Sequence, residues 1–274
     1  MDNTSRAKET EKKRSLVSLL EPNELPAVEV FNESGTCPLL LVCDHASKVV
    51  PAKLKNLGLN IAQLDCHIAY DIGAAEVTRH LAKNFNAKAI LAGYSRLVID
   101  VNREPKDPQS ILKRSDKTII PGNKELNEKA RSSRIMSLFD PYHKAISDNL
   151  NHLSKHEKQP ALFSIHSFSP EFGDTPRPWD IGVLWNRDPR IAKPLMKKLT
   201  RNGFNVGDNL PYSGLELAYT LNLHSQAAGL ANCVIEINQD QIKNQAGIKR
   251  WVKILTKVMQ EISKMDVLYQ NKRF

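Results

Sequence analysis

Leu39-Leu40-Leu41-Val42-Cys43-Asp44-His45-Ala46-Ser47 is an apolar run that stops at an acid, an imidazole and two small residues. Such a run reads as a strand buried on both faces of a parallel sheet, with its polar end outside the carboxyl ends of the strands, where open α/β sheets carry their chemistry. Ala161-Leu162-Phe163-Ser164-Ile165-His166-Ser167 repeats the pattern. Two strands therefore each deliver one histidine, His45 and His166, to a common edge.

Working outward from these strands, the chain alternates between strand and helix. Residues 28–31 read as a short edge strand, 86–93 and 96–103 as further strands, 181–185 as another, and 232–237 as the last. Helical patterning covers residues 71–82, where Asp71 is expected at the helix N-terminus. It also covers 124–152, interrupted by Pro141, then 189–202, closed by Gly203, and 248–262. Residues 105–122, 169–179 and 205–223 read as loops. The alternation predicts an α/β fold. Residues 1–22 are expected to form a polar arm, helical over 15–20 and closed at Glu21-Pro22, with residues 23–274 as a single domain.

Composition narrows the function classes. In 274 residues the hydrophobic fraction is 41% and the charged fraction 25%, and no apolar run reaches the roughly 18–20 residues of a membrane span. The first residues are charged with no apolar core behind them, so no secretory signal is expected and the cytoplasm is the expected compartment. Cys37, Cys43, Cys66 and Cys233 lack Cys-x-x-Cys spacing and read as free thiols. The net charge of +9 would suit anionic partners, but its basic residues are scattered and no helix carries an aromatic-interleaved basic stripe. Neither a nucleic-acid nor a membrane partner is expected; the oligomeric state stays open, a homo-oligomer included.

The ionisable residues that close the expected strands are His45, Asp100 with Arg103, His166 and Glu236. Zinc favours imidazoles plus a carboxylate with one position left for water, so His45, His166 and one acid would make a hydrolytic site. Asp71 is the candidate acid. Asp44 is the weaker one, because neighbouring strand residues point to opposite faces. Either histidine alone would be explained by capping a strand; the pair points to a metal. Glu236, inside Val-Ile-Glu-Ile, fits a general base beside such a metal, or else a buried salt bridge. Arg96 and Arg103 can clamp a substrate carboxylate bidentately, or form surface ion pairs. Tyr219 and His224 lie in a glycine-flanked stretch that can fold over a substrate, or simply pack as loop. His143, in Pro141-Tyr142-His143, is open between a supporting role, a cap and none. Gly-x-Ser-x-Gly, Walker, Gly-x-Gly-x-x-Gly and His-Glu-x-x-His motifs are absent from the sequence, which removes support for serine-hydrolase, nucleotide-binding and zincin readings.

Several blocks occur together in one order: Asp44-His45-Ala46-Ser47 with Pro51, His67 with Asp71-Ile72-Gly73-Ala74, and Tyr94-Ser95-Arg96-Leu97-Val98-Ile99-Asp100-Val101-Asn102-Arg103. Then come Pro141-Tyr142-His143, Ser164-Ile165-His166-Ser167-Phe168, Val206-Gly207-Asp208-Asn209 with Pro211-Tyr212-Ser213-Gly214, and Tyr219 through His224 to Glu236-Ile237 and Asp240. Over roughly residues 38–262 this resembles the N-formylglutamate amidohydrolase family. The resemblance implies a three-layer α/β/α fold with a mixed, mostly parallel sheet, similar to zinc exopeptidases, and hydrolysis of an N-formyl (or N-acyl) amino acid such as N-formyl-L-glutamate to formate and the free amino acid. It implies Zn²⁺, or another divalent metal, as cofactor. In related zinc carboxypeptidases an Asn-Arg pair holds the substrate carboxylate, a loop tyrosine precedes the last catalytic strand and a glutamate on that strand is the base. Asn102-Arg103, Tyr219 and Glu236 are similar in kind and order, whereas Lys48 stands where those enzymes place a glutamate ligand. The competing expectations are a non-catalytic small-molecule-binding member of the same fold, and a zinc carboxypeptidase or deacylase with a different acyl-amino-acid substrate.

Overall fold

The computed structural model describes residues 18–155, 157–226 and 228–274. The expected arm helix over 15–20 lies largely outside them; Ser18 to Leu20 are not helical, and Leu19 is buried.

The chain forms, in order, β1 (Val28–Phe31), β2 (Leu39–Cys43), α1 (Ala74–Phe85), β3 (Lys88–Ala92), α2 (Glu128–Arg134), α3 (Asp140–Leu153), β4 (Ala161–Phe168), β5 (Ile181–Leu184), α4 (Pro189–Arg201), β6 (Val206–Asp208), β7 (Asn232–Asn238) and α5 (Gln245–Ile262). The seven strands make one sheet in the order β1-β3-β2-β4-β7-β5-β6. β2 runs parallel to β3 and β4, β4 to β7, and β5 to β6, while β1 on β3 and β5 on β7 are antiparallel. The sheet is thus mixed and mostly parallel, as expected.

Alternation along the central strands splits the core into two layers. Leu39, Leu41 and Cys43 of β2 with Phe163 and Ile165 of β4 pack under α1, α4 and α5. Leu40, Val42 and Leu162 face the opposite side, covered by α3 and the loop packing around Leu97 to Val101. Helices on both faces of the sheet make three layers. Burial on both faces is why β2, β4 and β7 read as continuous apolar runs.

Four expectations need correcting. Residues 96–103 are successive turns, not a strand: Val98 N bonds to Ser95 O and Arg103 N to Asp100 O, so their buried side chains are presented without a ladder. Residues 206–208, expected in a loop, form the edge strand β6. His166 and Glu236 lie inside β4 and β7 rather than at their ends. Asp71 precedes α1, whose N-terminal flanking residue is Gly73 at φ 78°; a Cβ there would meet Ile242 O at 2.3 Å. The stretch read as two helices or a kink at Pro141 is two helices, α2 and α3, with Pro141 in the first turn of α3. The π turn Ile135–Phe139 joins α2 to α3 just ahead of it. Cys43 and Cys233 are buried free thiols, Cys37 is half-buried and Cys66 is exposed. Among the described residues, no helix is long and apolar enough to cross a membrane.

Candidate active site

The parallel register sets Glu236 of β7 beside His166 of β4, on the sheet face that also carries Val42 and Ser164. Asp44, one residue past β2, continues that face. His45 lies beyond the strand, in a turn where Asp71 N bonds to its carbonyl at 2.9 Å. Strand alternation and one tight turn therefore bring His45, Asp71 and His166 together, and one ligand-type atom from each lies within 4.8 Å of the other two.

Each imidazole uses its remaining nitrogen on a carboxylate. His45 Nε2 is 2.8 Å from Asp100 Oδ1, and His166 Nε2 is 2.8 Å from Asp44 Oδ2. The inward atoms are then His45 Nδ1, His166 Nδ1 and Asp71 Oδ2, with His166 Nδ1 at 2.7 Å and His45 Nδ1 at 3.4 Å from Asp71 Oδ2. Carboxylate–imidazole pairs of this kind fix ring orientation and tautomer around bound metals. Asp44 is itself held by Tyr142 Oη at 2.9 Å, Ser164 Oγ at 2.9 Å and Thr220 Oγ1 at 2.7 Å, all donating. The donor set fits one borderline divalent cation. Glu236 Oε2 is buried without a hydrogen-bond partner, as expected of a group open to an ion, a water or a substrate, whereas Asp71 Oδ1 is paired with the Arg96 guanidinium at 3.3 Å.

Electrostatics agree with that arrangement. Burial alone would raise the carboxyls of Asp44 and Asp71. Hydrogen bonding to His166 and its charge reverse this for Asp44, and the charges of Arg96 and His45 do so for Asp71, so both stay ionised. Burial opposes charge on His166, but its bonds to Asp44 and Asp71 hold it well above the imidazole range. Glu236 behaves differently: burial pushes it up to about 7, with Asp71 adding to the rise. No ion pair to Glu236 occurs among the described residues, so the salt-bridge alternative is not met.

A cavity of about 150 Å³ opens onto these groups, and Arg103 and Tyr212 also line it. Of the expected substrate-binding residues, Arg96, Asn102 and Arg103 all reach it, in different states. Arg96 is engaged by His45 Nδ1 at 3.2 Å, Asp71 Oδ1 at 3.3 Å and the carbonyls of His67 and Ile68. Asn102 bridges to the segment before β7, donating to Leu217 O at 3.3 Å and accepting from Thr220 N at 2.9 Å. Arg103 has only loose contacts with Asp100 at 3.5 Å and Asp107 at 3.7 Å.

Tyr219 and His224 are not brought to the cavity. The Tyr219 ring packs on Phe139 and His143, and His224 Nε2 lies 2.8 Å from His143 Nδ1. The cavity takes its tyrosine from seven residues earlier: Tyr212, whose hydroxyl oxygen accepts from Arg177 Nη1 at 3.0 Å. His67, quoted in the sequence only as part of a block and given no role, lines the cavity with Nδ1 buried and without a hydrogen bond, 3.9 Å from Asp71 Oδ1. Asp44 was weighed only as a ligand; the signal for its actual place is its even-numbered position on the same strand face as Leu40 and Val42.

A family model described as N-formylglutamate amidohydrolase matches residues 37–243. The gene product Atu2144 from Agrobacterium tumefaciens has a similar solved structure, with 33% identity and a TM-score of 0.87 over 90% of this chain and 98% of that one. The N-formylglutamate amidohydrolase from Ralstonia eutropha JMP134 is similar at 17% identity, with a TM-score of 0.69 over 88% of this chain and 98% of its own. No curated protein matches the chain.

Proposed function

The chain belongs to the N-formylglutamate amidohydrolase family, and on that premise we propose that it hydrolyses the N-formyl amide of an acidic amino acid such as N-formyl-L-glutamate. The products are formate and the free amino acid. The observation that carries this reading is the convergence on one cavity of the His45–Asp71–His166 donor set and the unpartnered Glu236 carboxyl.

His45, Asp71 and His166 would hold zinc or a similar divalent ion, which would supply Lewis acidity at the cavity. Glu236 in its ionised form takes a proton from the attacking water and gives it to the amide nitrogen as the carbon–nitrogen bond breaks. Burial raises this carboxyl above its ordinary value and a cation at the neighbouring donor set would draw it back down, a balance that suits a group that accepts and returns a proton. Asp100 and Asp44 hold the two imidazoles in place. The Arg103 guanidinium, with its donors only loosely used, binds the substrate carboxylate, while Arg96 and Asn102 hold the walls of the site. Tyr212 takes the part expected of Tyr219. Because its oxygen accepts from Arg177, its own proton is free to stabilise the oxyanion.

The test is formate release from a panel of N-formyl and N-acetyl amino acids by zinc-loaded and chelator-treated protein. Hydrolysis should favour acidic N-formyl substrates, disappear on chelation and return with zinc, and Glu236→Gln should abolish it with metal content unchanged. Binding without turnover would instead support a non-catalytic member. Turnover unaffected by metal removal would sink the metal assignment.

A further inference from the structure

His143 and His224 form a hydrogen-bonded pair outside the cavity that the proposed chemistry does not use. His143, in α3, is enclosed by the rings of Phe139 at 4.2 Å, Tyr142 at 5.5 Å and Tyr219 at 5.7 Å between centroids. Its Nε2 lies 2.8 Å from the carbonyl oxygen of Val101, and its Nδ1 lies 2.8 Å from His224 Nε2. His224 Nδ1 is in turn 3.3 Å from Ser147 Oγ.

The direction of every bond in this chain follows from its last member. A carbonyl oxygen only accepts, so His143 carries its proton on Nε2. Burial depresses His143 below the imidazole range and takes His224 down to about 4, so both rings are neutral and His143 Nδ1 is an acceptor. His224 must then donate from Nε2. Its Nδ1 is left to accept from the Ser147 hydroxyl. Donation runs one way, from Ser147 through His224 and His143 to Val101.

What the chain ends on matters. Val101 lies between Asp100, which orients His45, and the Asn102-Arg103 pair at the cavity wall. The segment that carries His224 also carries Thr220, which bonds to Asn102 through its backbone N–H and to Asp44 through its hydroxyl. One stretch thus grips the turn at Asn102 directly and at Val101 through two rings. We propose that His143 is a positioning residue for the 100–103 turn, held in its Nε2-protonated tautomer by His224 and Ser147. The consequence for turnover rests on the reading of Arg103 as the substrate-carboxylate group; the tautomers and the clamp do not.

The experiment has two parts. Long-range ¹H–¹⁵N correlation on histidine-labelled wild-type protein should show His143 and His224 both protonated at Nε2 alone. A ring protonated at Nδ1 in either case overturns the proposal, whatever the activity. The second part compares His143→Gln, whose amide nitrogen can reach the place of Nε2, with His143→Asn, whose amide nitrogen cannot. Loss of one buried hydrogen bond predicts a KM for N-formyl-L-glutamate raised about tenfold in the asparagine variant, with kcat changed much less, and near-wild-type KM in the glutamine variant. Equal behaviour of the two variants refutes the clamp. If the asparagine variant does not fold, the tautomers of the wild-type rings decide. If both rings carry the Nε2 proton but no N-formyl substrate is turned over, the clamp stands and the hydrolase reading falls.

Discussion

Glu236→Gln should abolish hydrolysis in zinc-loaded protein and, in metal-free protein, raise stability at neutral and alkaline pH. The Glu236 carboxyl sits in β7 with one oxygen unpartnered, and burial, reinforced by the charge of Asp71, raises it from an ordinary value of 4.5 to about 7. Below pH 4.5 the group is neutral in the folded and unfolded chains alike. As pH rises, the unfolded chain loses the proton first, near 4.5, and the folded chain holds it until about 7, so stability falls across that window and is level above it. At about 1.4 kcal/mol for each pH unit of difference, the loss comes to roughly 3 kcal/mol. Glutamine has no proton to lose, so the variant escapes it. Urea unfolding of chelator-treated wild type and variant at pH 5, 6, 7 and 8 should show a gap in favour of the variant that widens with pH and then levels. A gap independent of pH would refute the argument that an ionised Glu236 is held at the expense of the fold.

The two carboxylates that orient the imidazoles make a second expectation. Asp100→Asn keeps an oxygen for His45 but loses the charge, and should weaken zinc retention 10–100-fold in chelator competition, with Asp44→Asn at least as damaging because four donors converge on Asp44; superimposable competition curves would remove the orienting role. Arg103→Ala should raise KM for acidic N-formyl substrates on the order of 100-fold, as expected for a lost charge-assisted hydrogen bond, with kcat less affected and Arg103→Lys only a partial rescue; an unchanged KM places the carboxylate elsewhere.

The central strands were legible because burial on both faces writes itself as an uninterrupted apolar run, and β2, β4 and β7 all carry one. Residues 96–103 carry a similar run for another reason: Leu97, Val98, Ile99 and Val101 are buried by turns folded onto the sheet, and composition alone does not separate a buried turn from a strand. β6 was hidden the opposite way. Val206-Gly207-Asp208 has the chemistry of a loop, and becomes an edge strand through its parallel pairing with β5. At the site, the ligand types could be read, but the partner of each second nitrogen could not. Asp44 belongs to His166, 122 positions away, and not to its neighbour His45, and that follows only once strand register is known. Tyr212 lies in a loop and Tyr219 opens the short helical turn Tyr219–Leu221 after it, and the aromatic packing of Tyr219 on Phe139 and His143 leaves the cavity to Tyr212.

The charge of the chain and the charge of the site oppose each other, and both signs are useful. Asp44, Asp71 and Asp100 gather around two imidazoles, a concentration of ionised carboxylates suited to a divalent cation although the chain as a whole carries +9. Screening over roughly 8 Å makes the near groups decisive for an ion, while Arg103, which lines the cavity, and Arg177, bonded to the lining Tyr212, are the cations that an acidic substrate would meet under the proposed function. Arg96 sets a limit within that field. Its guanidinium lies 3.3 Å from Asp71 Oδ1, where it keeps the carboxylate ionised and sets a fixed positive charge at the oxygen through which Asp71 would have to bridge to a second metal. A second divalent ion there would face that guanidinium at contact distance, so the arrangement favours a single ion over a bridged pair.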